Sequence, residues 1–563
     1  MDNLRFVLFV FFIFLSYSLW EQWQLDYGPK PPQVVAQQQA EQNNKPGAPQ
    51  TPPADVVTAS GRTASAMSAP TDNGVAPAAA SAKVVVTTDV LRIVIDTSGA
   101  DIHSIQLTTY PINKDQTDNP VELLNDDPTK RFISQTGLLS DSSSPPNHHS
   151  IWNSAGNTYA LKDGEDSVQV PFTWTSPNGL KVTKVYTFKR GSYLIDMKQT
   201  VLNKSNQEWS GRQYIQLQRK EPEKKVGSAL STSSEDRAYT GGVLYTQSEK
   251  YEKISFDDMA DSNLARTGKD AWIAMIQHYF LAAWIPQTGE EDSFYTKALP
   301  DKFFVIGAIS PETAVAPGSE KTFESSLFVG PKLQRTLETI APGLELTVDF
   351  GNLTFIAKPI FWLLDKYHVL FTNWGWAIVF VTITIKLLFF QLSASSYRSM
   401  ANMRKLQPKL KELKDRLGED KQQFNVAMME LYRKEKVNPL GGCLPVLVQI
   451  PVFISLYWVL VEAVELRQAP FIFWLQDLSS KDPYFILPVI YGISMFIQQR
   501  LNPQPQDPMQ AKVMQYFPLI FTVFFAFFPS GLVLYWVINN TLSILQQWVI
   551  TRQIEGKAAP SRA

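Results

Sequence analysis

Trp374–Leu392, WGWAIVFVTITIKLLFFQL, decides the fold: it is long and apolar enough for a membrane crossing, and its one full charge is Lys386. An ionised side chain inside such a segment costs from about 2.5 to more than 10 kcal/mol, so it ordinarily marks a hydrated cavity or a functional pathway. Lys386 lies roughly 9 Å from the segment's end at ~1.5 Å per residue, within reach of a snorkelling ammonium. Thr382, one turn earlier on the same face, instead makes the lysine part of a polar stripe. Lys386 is the first functional candidate, and the other apolar segments are expected to supply polar groups to match.

The chain of 563 residues, 44% hydrophobic and of net charge −1, averages two unlike halves. Beyond residue 374 come five apolar segments, 374–392, 443–461, 484–499, 513–528 and 531–550, and a sixth lies at 4–20, LRFVLFVFFIFLSYSLW. The expected class is a polytopic α-helical membrane protein with six transmembrane helices. The first is read as an uncleaved anchor, because Leu19, Trp20 and Trp23 carry apolar character past the weak Ser16-x-Ser18 cleavage pattern. The single cysteine, Cys443, rules out an intrachain disulfide and a cysteine metal site. His103, His148, His149 and His278 are not at metal-ligand spacing and read as surface residues. With no histidine in the spans and no GxxxxGK[ST] phosphate loop, neither an intramembrane Ser–His hydrolase nor a nucleotide-driven machine is indicated, and no catalytic residue, metal or cofactor is expected.

The expected organisation is an anchor (1–26), a disordered tether rich in Pro, Ala, Gln, Ser and Thr (27–82), and an all-β sandwich domain (83–345), then an interfacial amphipathic helix (346–373), a second spanning helix (374–392), a cytoplasmic helical hairpin (393–440), helices 3–6 (441–550) and a tail (551–563). The β reading rests on period-two alternation, as in Val168, Val170, Phe172 and Trp174, punctuated by turns such as Pro177-Asn178-Gly179. Orientation follows from charge: 393–440 holds eleven basic and six acidic residues, 462–483 two basic and four acidic. The former is therefore cytoplasmic, as are both termini, and the β domain lies outside. In the hairpin, Met403, Leu406, Leu410, Leu413 and Leu417 form a seam turned at Gly418-Glu419-Asp420; Met400, Met403, Met428 and Met429 offer soft contact surface, while Arg404, Lys405 and their basic neighbours can meet RNA or lipid phosphate.

Polar residues recur in the later spans: Gln449 and Ser455, Ser494 and Gln498, Gln515 and Thr522, and Asn539, Asn540, Ser543 and Gln546. With Lys386 they suggest a polar groove. The spans 484–499 and 513–528, about 24 Å long as helices, would thin or tilt against a hydrocarbon core near 30 Å.

Three stretches, VNPLGGC at 437–443, ELRQAPF at 465–471 and FPSGLVLY at 528–535, resemble signatures of the bacterial YidC membrane-protein insertases of the YidC/Oxa/Alb family, Gram-negative type. The resemblance covers 374–550, and the anchor, tether and β domain match the family's arrangement. It implies a β-supersandwich periplasmic domain, a five-helix insertase core with a hydrophilic groove, residence in the inner membrane, and work alone or beside the Sec translocon. Nascent membrane proteins and lipids are the implied partners, with transient ribosome contact. Lys386 stands where the family usually carries arginine, keeping the charge without the planar fork; Thr382, Gln449, Tyr535 and Trp536 would line the groove or substrate slide, with Asn540 among its polar groups. The alternative is a transporter or channel binding an anionic solute at Lys386, which broken helices or inverted repeats would favour.

Overall fold

The computed structural model describes residues 81–141, 144–223, 238–417, 420–435, 437, 444–502 and 508–556. The expected anchor, nearly all of the tether, Gly418-Glu419, residues 438–443 of the first signature and the end of the tail lie outside these residues.

Two large sheets occupy Lys83 to Pro331. One of nine strands runs, neighbour to neighbour, Lys250–Ile254, Gly241–Thr246, Trp272–Ile276, Phe280–Pro286, Glu320–Pro331, Leu194–Asn203, Leu180–Lys189, Ser167–Thr175 and Asn153–Ser154. The other, of eleven, has Trp209–Lys220, Phe132–Leu139 and Asp101–Pro111 at its centre. Alternation decides which side chains meet between the sheets: Val170 and Phe172 from one share a core with Ile93, Ile95 and Leu217 from the other. The pleat sends successive residues to opposite faces, so apolar runs such as Trp272–Ile276 and Phe280–Pro286 serve two cores. In Trp272–Ile276, Ile273 and Met275 point between the sheets, while Trp272, Ala274 and Ile276 join a second core with the helices. The β domain is therefore docked on the helical region through one sheet face, which alternation alone does not reveal.

From Thr354 on, the described residues form eight α-helices: α1 Thr354–Phe371, α2 Trp374–Leu388, α3 Phe390–Leu417, α4 Lys421–Lys434, α5 Leu444–Glu462, α6 Ile486–Leu501, α7 Pro508–Phe525 and α8 Ser530–Gly556. α1 buries Ala357, Ile360, Phe361 and Leu364 and leaves Phe355, Trp362, Val369 and Leu370 exposed, an amphipathic division along its length. Asn373 caps α2 by accepting from the Trp376 backbone N–H and donates to the Phe471 carbonyl. At Gly375 the approach of Phe471 is so close that a Cβ would stand 2.0 Å from its ring, so helix and loop meet only because the side chain is absent. Asp482 accepts from the backbone N–H groups of Tyr484 and Leu487 and from Trp474 Nε1, fixing the entry into α6.

The single span expected over 374–392 is two helices: α2 ends at Leu388, and α3 leaves at 68°. Among the described residues no single helix is long and apolar enough to cross a membrane, the α2–α3 pair passes that test together, and Val448–Glu462 and Lys512–Phe525 are shorter apolar helices. Over 374–550 the expected spans are thus not matched one helix to one span among the described residues, and the first of the six lies outside them. Both arms of the expected hairpin are helical, Leu406 and Leu410 are buried, and the Asp420 carboxylate caps α4 by accepting from the N–H groups of Gln422 and Gln423.

Candidate functional site

Lys386 is buried, 7% exposed, in the last turn of α2. Its ammonium donates to Ser543 Oγ on α8 at 2.7 Å, and no carboxylate among the described residues lies within ion-pair distance. The Ser543 hydroxyl donates its own proton to Asn539 O, 2.7 Å away. Three residues on, Gln546 Nε2 donates to Phe390 O, at the bend between α2 and α3. One face of α8 therefore holds both the lysine and the break that follows it.

The remaining candidates are dispersed. Thr382 is buried on the same side of α2, but its hydroxyl donates to Ile378 O of its own helix. Asn540 turns from Lys386 to α6, donating to Ser494 Oγ, which in turn donates to Tyr491 O. Tyr535 and Trp536 belong to an aromatic cluster: Tyr535 stacks on Phe453, and Trp536 lies 4.7 Å from Phe453, 5.7 Å from Phe525 and 5.9 Å from Tyr491. Gln449 is half-buried on α5. In the hairpin, Met400 packs beside Ala394, Tyr397 and Ile550; Lys405 donates to Ile554 O; Arg404 is exposed; Met403 and Met428 are half-buried; Met429 stands out in solvent. Ser543 figured in the sequence only as one polar residue of its span, and helical spacing cannot say which of four such groups faces Lys386.

Among the described residues two other lysines are buried, each beside an acid. Lys184, wholly buried between the sheets, donates to Gly99 O at 2.5 Å and Thr136 Oγ1 at 2.7 Å, and lies 3.5 Å from Asp101 Oδ1. Burial pushes the Asp101 carboxyl up and the Lys184 ammonium down, against their mutual attraction. Lys332, at the end of the nine-stranded sheet, pairs with Glu462 at the end of α5 at 3.3 Å, both nearly out of solvent. Beside it His278 Nε2 lies 3.0 Å from Val461 O, and Arg467 and Gln468 donate to Pro111 O across the same junction. The sequence reading of the histidines as surface residues is corrected at two of the four: His278 is buried in this junction, and His148 is buried with Nδ1 2.6 Å from the Tyr214 hydroxyl. A loop position after Pro145-Pro146 hid the second, because the contact comes from a strand 66 residues away.

Fold and site together define a class: an all-β domain docked on a helical region whose outer surface is rich in exposed Ile, Phe, Val and Leu and whose interior holds a cation with no counter-ion among the described residues, as suits a lipid-embedded protein. Residues 83–363 match the family described as YidC periplasmic domain, and residues 366–557 the family described as 60Kd inner membrane protein. The chain is 62% identical to the membrane protein insertase YidC of Methylococcus capsulatus, over 99% of this chain and 100% of that one. It is 50% identical to the protein of the same name in Thioalkalivibrio sulfidiphilus, over 99% of each. A crystal structure of an active YidC insertase with its first transmembrane domain resolved aligns at TM-score 0.38 and 18% identity, covering 82% of this chain and 91% of that one. The chain belongs to the YidC family of membrane protein insertases, inner-membrane proteins with a periplasmic all-β domain; they are not enzymes.

Proposed function

We propose that this protein moves nascent hydrophobic segments from the cytoplasm into the inner membrane, with Lys386 as the charge that receives the polar part of the substrate. The observation that carries the reading is the buried ammonium bonded to a serine hydroxyl and left without an acid among the described residues. A substrate carboxylate within about 4 Å would gain up to ~4 kcal/mol at an effective dielectric near 20, before desolvation is subtracted. Transfer of the apolar substrate helix into lipid, at about 25 cal/mol per Å² of apolar surface, supplies most of the driving force.

In this account Thr382, Gln449, Asn540, Tyr535 and Trp536 belong to the path, the first three as polar lining and the two aromatics as the slide for the apolar segment. The hairpin, through Met400, Met403, Arg404, Lys405, Met428 and Met429, meets the substrate, the ribosome or lipid head groups first. Six spans with both termini cytoplasmic, and action alone or beside the Sec translocon, complete the proposal. Its support is the close identity to insertases over the whole chain and the charge imbalance of residues 393–440. The test is reconstitution of the purified chain into proteoliposomes with a single-span substrate and an entrapped anionic dye. Protease protection of the substrate tail without dye efflux is expected; efflux without protection would move the chain to the transporter reading.

A further inference from the structure

We infer that Ser543 is the positioning residue for Lys386, an inference that rests on the reading of Lys386 as the substrate-facing charge. The geometry assigns the role through proton bookkeeping. A serine hydroxyl has one proton and two acceptor sites. Here the proton goes to Asn539 O, so Ser543 meets the ammonium only as an acceptor. It satisfies one of the three ammonium N–H donors and leaves two for an incoming carboxylate. Because Ser543 and its receiver Asn539 lie one turn apart on α8, the acceptor is fixed by a helix rather than by a mobile side chain.

The same face of α8 fixes the surroundings. Gln546 holds the Phe390 carbonyl at the bend that ends the lysine's own helix, so α8 grips α2 at its side chain and α3 at its first residue. The other polar residues of α8 point elsewhere: Asn540 and Gln547, seven apart, both bond to α6 or the residue that follows it. This division distinguishes Ser543 from its neighbours. A lysine, with three rotatable donors on a flexible stem, needs such an acceptor more than an arginine's planar fork would.

The experiment measures insertion rates in proteoliposomes for wild type, Ser543→Ala, Ser543→Thr, Lys386→Ala and the Lys386→Ala/Ser543→Ala double variant, using one substrate with an acidic tail and one with that tail neutralised. Ser543→Ala is expected to slow the acidic-tail substrate roughly tenfold, the scale of one hydrogen bond to a charged group. Ser543→Thr should restore the rate to within about twofold, and Ser543→Ala should have no further effect once Lys386 is Ala. The inference is overturned if Ser543→Ala inserts like wild type, if threonine gives no rescue, or if alanine costs the same factor with and without Lys386, the signature of a merely structural serine. If Lys386→Ala alone inserts acidic tails at the wild-type rate, the underlying reading has failed instead.

Discussion

The β domain and the helical region bury lysines under opposite rules. Lys184 and Lys332 are each provided with a carboxylate, Asp101 and Glu462, and sit where the protein needs two sheets or two domains to hold one arrangement. Lys386 is buried to a similar degree, yet among the described residues it has a hydroxyl and no acid. Breaking a buried pair costs about 3–5 kcal/mol because a charge is left uncompensated; the helical region carries such an uncompensated charge from the start. Among the three buried lysines of the described residues this one alone is left open, and an ionic partner's place beside it stays free.

Five expected outcomes test that contrast. The largest concerns the junction: Glu462→Ala should destabilise the full chain by about 3–5 kcal/mol, and Lys332→Met/Glu462→Met should recover most of the loss. Thermal unfolding in detergent measures both, and equal stability of all variants would make the pair incidental. Next is a buried acid without a lysine. Asp292 is 3% exposed, and burial, aided by Glu290, pushes its carboxyl up to about 7. Its folded value lies above the unfolded one, so its stabilising contribution is whole below about pH 4 and is lost as pH rises through about 7. The interval corresponds to up to about 4 kcal/mol. Asp292→Asn should therefore be more stable than wild type at pH 8 and lose most of that advantage at pH 5, when melting curves at the two pH values are compared.

Smaller effects belong to the helical region. Lys386→Met should raise stability by ~1–2 kcal/mol while lowering insertion, because the charge it removes has no ionic partner to lose. The analogous Lys184→Met should lower stability, since Asp101 would be stranded. The smallest is Asn540→Ala, which removes one interhelical hydrogen bond to Ser494 worth roughly 0.6 kcal/mol. A much larger loss would mean that the α6–α8 contact depends on Asn540 more than that single bond implies.

What the sequence made legible follows from how local each signal is. Alternation at Val168 to Trp174 reports one buried face, and the strand there is indeed buried at Val170 and Phe172. The same logic fails at Trp272–Ile276, where both faces are covered and the pattern becomes a plain apolar run. Lys386 stands out because a charge in an apolar segment is costly wherever the rest of the chain lies. Its partner does not stand out: Asn540, Ser543, Gln546 and Gln547 are equivalent until the neighbouring helices are in place, and then they serve different ones. Thr382 shows the limit of a shared face, for the residue lies where spacing puts it while its hydroxyl serves the backbone. The bend after Leu388 has no proline or glycine to announce it.

The open charge at Lys386 matters for insertion only if the substrate's acidic tail meets it. The direct measurement is the insertion rate of a single-span substrate, with an acidic or a neutralised tail, by the wild type and by Lys386→Arg, Lys386→Ala and Lys386→Glu. With the acidic tail the rates should fall from lysine and arginine, close together, through alanine to glutamate, and the differences should collapse with the neutral tail. Equal rates for all four with the acidic tail would contradict such a contact.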